Sequence, residues 1–252
     1  METIESGENE VEKYAVVTGA DRGLGFDLTL KLLHLGYTVF AGKYMPEWKG
    51  NAEIPDDLWE RLIPVELDVS SEESVRSACE SIRDRTNRVD LLVNNAGIGG
   101  DYEGNIFGSI DYPLLQRLYE VNAIGPLRMA NALNRELSNG TDKLVVNISS
   151  EAGQINQKWR ESWYGYCMSK AALNIQSNIM HNQLRTIGGK ALVIHPGWLK
   201  SYMGGQLSEE GDITTEESAA GIVEQIVRYV EDATEREHPA FLDYAGNEMS
   251  WA

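Results

Sequence analysis

The chain is short of several residue types, and each shortage closes off a class of function. Two cysteines in 252 residues, Cys79 and Cys167, allow no disulfide framework. Four histidines, His34, His181, His195 and His238, are scattered without ligand spacing, so no metal site is expected. Cationic residues are outnumbered 22 to 39, leaving a formal net charge of −17. Phosphate backbones are bound by an excess of Lys and Arg, so a nucleic-acid partner is not expected. No apolar run approaches the roughly 18 residues of a membrane span, and the N-terminus lacks a basic-then-apolar leader. A cytoplasmic protein with no membrane association is the expectation.

What is present alternates. Short apolar, β-branched runs at 15–18, 38–41, 63–67, 91–93, 144–148, 191–194 and 240–242 are separated by helical patterns. That order predicts an α/β fold of the Rossmann type, a doubly wound parallel sheet of about seven strands with helices on both faces. The length suits one domain over 13–252, preceded by an acidic, disordered lead over 1–12. The first strand runs into Gly19-Ala20-Asp21-Arg22-Gly23-Leu24-Gly25 and then an amphipathic helix. Glycines there permit a tight turn and bring backbone N–H groups close to a pyrophosphate, with the positive end of the helix aimed at it. Farther on, Tyr166 and Lys170 stand four residues apart in a helical run and so share a face. An ammonium beside a phenol favours the phenolate, which suits a tyrosine for proton exchange.

The motifs Thr18 to Gly25, Asn94-Asn95-Ala96-Gly97, Asn122, Ser150, Tyr166, Lys170 and Pro196-Gly197 follow one another in an order that resembles the short-chain dehydrogenase/reductase family. The likeness extends from about Tyr14 to the C-terminus and is strongest to carbonyl-reductase and C-factor-like members. It implies hydride transfer between a carbonyl compound and an alcohol. Tyr166 is then the general acid/base, Lys170 its tuning cation and a ligand of the nicotinamide ribose, Ser150 the group that orients the substrate oxygen, and Asn122 the holder of a water leading from Lys170. Ser149 is the competing hydroxyl, and the sixteen positions from Ser150 to Tyr166 exceed the family's usual spacing, which places a small insertion, Gly153 to Trp163, at the rim. The resemblance assigns the cofactor to Gly19, Asp21, Arg22, Gly23, Leu24, Gly25, Lys43, Tyr44, Asp68, Val69, Asn94, Asn95, Ala96, Gly97, Pro196, Gly197, Trp198, Leu199 and Ser201, besides Tyr166 and Lys170.

The second strand ends in Lys43 and Tyr44 with no acid, and Arg22 lies inside the glycine loop. Missing carboxylate and added cations favour NADP(H) over NAD(H), because the 2′-phosphate needs positive partners. Trp159, Trp163, Tyr164, Trp198, Tyr202 and Met203 fall on segments expected to border the substrate. They suggest an apolar or aromatic small molecule, covered by a lid over 199–214 with Gly204, Gly205 and Gly211 as hinges. By resemblance the chain forms a homodimer or homotetramer through helices at 114–137 and 163–184. The alternative is a catalytically weak, NADP-binding signalling or regulatory protein.

Overall fold

The computed structural model describes residues 12–45, 54–100, 104–201, 203 and 208–252. Seven strands form one sheet: β1 (Tyr14–Val17), β2 (Thr38–Lys43), β3 (Leu62–Glu66), β4 (Leu91–Asn94), β5 (Leu144–Ile148), β6 (Lys190–His195) and β7 (Ala240–Asp243). Their order is β3-β2-β1-β4-β5-β6-β7, and every pairing is parallel. All seven coincide with the runs marked in the sequence, to within one or two residues at an end.

A parallel sheet must be covered twice, and the alternation along each strand shows how. Ala15 and Val17 point to one face, where they meet Leu24, Leu28 and Leu32 of α1 (Gly23–His34) and Ile222 and Ile226 of α7 (Thr215–Glu231). Val16 and Val145 point to the other, against Val75 and Ile82 of α2 (Glu72–Arg83), Met129 of α4 (Gly125–Ala132) and Met180 of α6 (Tyr164–Arg185). Each fully buried leucine or isoleucine contributes about 1.5–3 kcal/mol, against about 0.5–1.5 kcal/mol net for a typical neutral hydrogen bond. Helix starts are marked chemically. Thr214 and Glu217 form a reciprocal capping box on α7, and Ser71 accepts the Ser74 N–H on α2.

The long helix expected over 114–137 is broken into three: α3 (Tyr112–Tyr119), α4, and α5 (Asn134–Asn139), with a π turn at Glu120–Ile124 joining the first two. Pro126, in the first turn of α4, has no N–H to continue the preceding ladder. Gly125 lets the helix press against Val69, whose Cγ2 would lie 2.9 Å from any Cβ there.

Strand order reverses between β1 and β4. The loops leaving their C-terminal ends diverge, and a crevice opens at that point, where open α/β sheets take their ligands.

Candidate active site

The loop after β1 turns tightly because Gly19 has φ +64° and Gly23 φ +54°. Gly25 is tighter still, since a Cβ would stand 2.1 Å from the Gly19 carbonyl oxygen and 2.4 Å from Asn95 Nδ2. Thr18 was expected to end the strand. It instead accepts the Asn95 and Ala96 N–H groups on its hydroxyl, both at 3.0 Å, while Asn95 Nδ2 donates back to the carbonyls of Thr18 and Gly19. The two loops are therefore stitched into one wall. Arg22, the N-cap residue of α1, makes no side-chain cap hydrogen bond, and the first turn of the helix has no acid.

The crevice is a cleft of about 210 Å³. Of the expected cofactor residues, Gly19, Asp21, Arg22, Gly23, Leu24, Gly25, Tyr44, Asp68, Val69, Asn95, Ala96, Gly97, Pro196, Leu199 and Ser201 line it. Four do not. Lys43 is cross-strand partner to Glu66, and its Nζ lies 2.7 Å from that carboxylate. Asn94 turns inward to donate to Asn147 Oδ1 at 2.8 Å. Gly197, with φ +85°, packs against Ile213 and Tyr244, and Trp198 is largely exposed outside the cleft walls. Asp21 accepts the Met45 N–H at 3.3 Å, which ties the glycine loop to the end of β2. Asp68 accepts both the N–H and the hydroxyl of Ser70. Arg117, also in the lining, was not anticipated. Its guanidinium donates to Ser70 and approaches Asp68 at 4.0 Å, a placement set by the packing of α3 that leaves no local mark in the sequence.

Tyr166 and Lys170 enter the same cleft from the first turns of α6. Both are buried, and Lys170 Nζ lies 5.7 Å from the centre of the Tyr166 ring. Lys170 donates to the Ile148 carbonyl at 2.8 Å. Burial disfavours its charged form and pushes its pKa down to about 8. Ser149 and Ser150 follow β5. Ser149 lines the cleft but donates its proton to Asn174 Oδ1 at 2.6 Å. Ser150 lies just outside the lining, donates to Glu151 Oε2 at 2.6 Å and accepts the Ala152 N–H at 3.1 Å.

Asn122, at the π turn, is fully buried. Its amide spans both backbone groups of Ile98 at 2.9 Å and donates to Ser169 at 3.1 Å. The side chain thus braces the loop beyond Gly97.

The expected lid has joined feet. Asp212 and Ile213 donate to the Trp198 carbonyl, Lys200 donates to Ile213, and Gly211 sits hard against the Leu199 backbone. Gly211 is thus a close-packing glycine. Tyr202, Gly204 and Gly205 lie outside the described residues. Among the described residues, no group of three or more His, Cys, Asp or Glu is placed to hold a metal ion, and no helix is long and apolar enough to cross a membrane.

Comparison with known proteins agrees with this geometry. The family model for short chain dehydrogenases matches residues 13–228. The C-signal of Myxococcus xanthus is 34% identical over 167 residues, covering 66% of this chain and 95% of that protein. The NADPH-bound carbonyl reductase from chicken fatty liver superposes with a TM-score of 0.80 at 29% identity, covering 95% of this chain and 99% of the other. A carbonyl reductase of Pseudomonas aeruginosa PAO1 in complex with NADP gives 0.75 at 30%, covering 95% and 100%. The protein whose glycine loop, tyrosine and lysine meet at this sheet crevice belongs to the short-chain dehydrogenase family of oxidoreductases.

Proposed function

We propose that the protein is an NADP(H)-dependent oxidoreductase that interconverts a ketone or aldehyde and the corresponding alcohol, with Tyr166 as general acid/base. The observation that carries this reading is that Tyr166 and Lys170 open into the same cleft as the glycine loop. The residues present fit a dinucleotide. The absent Cβ at Gly25, the acid-free first turn of α1 and Arg22 in the lining suit a pyrophosphate and an added phosphate. When bound, NADPH supplies the hydride.

The chain's own residues supply the rest. The Tyr166 hydroxyl gives a proton to the substrate oxygen in reduction and takes it back in oxidation. Lys170, fixed by the Ile148 carbonyl, provides positive charge beside that phenol while it remains protonated. Ser150 is the hydroxyl assigned to the substrate oxygen, at the mouth of β5. Asn122 keeps the loop beyond Gly97 in place through Ile98. Carbonyl-reductase relatives, NADP-bound among them, support the substrate class and the cofactor.

The exposed aromatic rings of Trp159 and Trp198 favour an apolar or aromatic substrate at the rim. Leu127 on α4 and Met168, Ile175 and Ile179 on α6 form an exposed apolar set that suits pairing with a second copy. A cytoplasmic location belongs to the same reading.

Likeness to the C-signal supports a second reading, a cofactor-binding signalling protein with little turnover. Mixing the protein with NADPH, and separately NADH, and a panel of aldehydes and ketones while following nicotinamide absorbance separates the two. Carbonyl-dependent loss of NADPH is expected. Tight NADPH binding with no turnover across the panel would favour the signalling reading.

A further inference from the structure

The rim segment 154–163 carries a set of contacts that the reaction as proposed does not use. Ser150 Oγ donates to one oxygen of Glu151, and the other oxygen accepts from Arg160 Nη2 at 2.9 Å. Arg160 is itself held. Its Nε donates to Gln157 Oε1 at 2.8 Å, and its guanidinium lies 4.3 Å from the ring centre of Trp159 and 4.9 Å from that of Trp163. Only 10% of its side chain is exposed. Gln157 closes the circuit by donating to the Glu151 carbonyl. Trp163 stands at φ 68°, ψ 37°, a left-handed conformation that a bulky residue keeps only where its surroundings hold it. Its ring meets Tyr166 edge-on at 5.9 Å and 83°. Contacts therefore run unbroken from Ser150 through Glu151, Arg160 and Trp163 to Tyr166.

Charge gives this circuit a consequence. Ser150 has one proton, and Glu151 holds it. A bare carboxylate would keep that proton from a substrate oxygen and would oppose the negative charge gathering on it. A guanidinium on the carboxylate weakens its hold and offsets its charge. His195 Nδ1 also approaches Glu151 Oε2, at 3.5 Å. Burial is the largest influence on that imidazole and lowers its pKa, against upward pulls from Glu151 and Asp243 and a downward push from Lys170. Burial thus works against a charged imidazole there, and the guanidinium of Arg160 is the cation paired with Glu151.

We propose that Arg160 is a positioning residue for carbonyl reduction: by pairing with Glu151 it loosens the carboxylate's hold on the Ser150 proton and leaves that hydroxyl available to the substrate oxygen. The inference rests on the reading of Ser150 and Tyr166 as catalytic residues.

Four chains test it, each assayed for kcat, KM and NADPH binding: the wild type, Arg160→Met, Arg160→Lys, and Arg160→Met combined with Glu151→Gln. Arg160→Met is expected to lower kcat about tenfold or more while NADPH affinity holds. Adding Glu151→Gln is expected to restore kcat to within about threefold of wild type, because no charge is left to offset. Arg160→Lys keeps the charge and loses the planar stacking, and is expected to stay within about threefold as well. A double variant as slow as Arg160→Met, or a lysine variant as slow, overturns the inference and leaves Arg160 as a loop brace. Should Arg160→Met not fold, Arg160→Lys decides alone by the same threshold. A wild-type chain that binds NADPH and reduces no carbonyl sinks the underlying reading, and the inference with it.

Discussion

Around the glycine loop, partners are mostly backbone groups. Thr18, Gly19, Asn95 and Ala96 are joined by hydrogen bonds in which at least one partner is main chain, and Gly25 is packed against a carbonyl with no space for a methyl group. At the rim, 154–163 is held mainly by side chains: Arg160 on Glu151 and Gln157, with Trp159 and Trp163 against the guanidinium. A backbone cradle suits a ligand part that never varies, such as a pyrophosphate. A side-chain network can be rebuilt by a few substitutions, and that suits the part of the site that meets different substrates.

The comparison can be broken at either end. At the cradle, Gly25→Ala places a Cβ 2.1 Å from the Gly19 oxygen. It is expected to weaken NADPH binding about 10- to 100-fold, the equivalent of roughly 1–3 kcal/mol of overpacking, measurable by titration of nicotinamide fluorescence. Unchanged affinity would mean that the loop yields easily and that the backbone cradle is softer than its contacts imply.

At the junction of cradle and rim, Lys170 is pushed down to about 8 by burial. A lysine with a lowered pKa is charged below that pH and neutral above it. If it supports Tyr166 as proposed, that support is present at neutrality and lost as pH rises through about 8, and kcat for reduction is expected to fall there by up to about tenfold per unit. A profile that stays flat through that region would remove Lys170 from its assigned role.

The smallest effect concerns the added phosphate. Lys43 already has Glu66 at 2.7 Å, so Lys43→Ala is expected to change the preference for NADPH over NADH by no more than about fivefold, under the roughly 1 kcal/mol typical of exposed pairs. Arg22→Ala, in the cleft wall, is expected to change it more. The reverse order of the two variants would show that the Lys43–Glu66 pair opens to bind the cofactor.

How much could be read beforehand follows the same division. Strands, the glycine loop and the tyrosine–lysine pair are local patterns: β-branched runs, a spacing of glycines, a helical offset. All are where the sequence puts them. Pro126 marks a break in the helix near Asn122, but the π turn itself and the close approach of Gly125 to Val69 were not legible, since Val69 comes from a distant part of the chain. Nor was the use of the Asn122 amide to hold Ile98, or the pairing of Lys43 with Glu66, since each partner comes from a distant element. Glu151 and Arg160 are nine residues apart and become partners only once the rim segment folds back.

The central claim is that the Tyr166 hydroxyl moves the proton while the rest of the cleft holds the cofactor. Its most direct test is Tyr166→Phe, with carbonyl-dependent oxidation of NADPH and NADPH affinity measured on the same preparation. A loss of about 100-fold or more in kcat at unchanged affinity is the result this account predicts. Turnover within a fewfold of the wild type would contradict it.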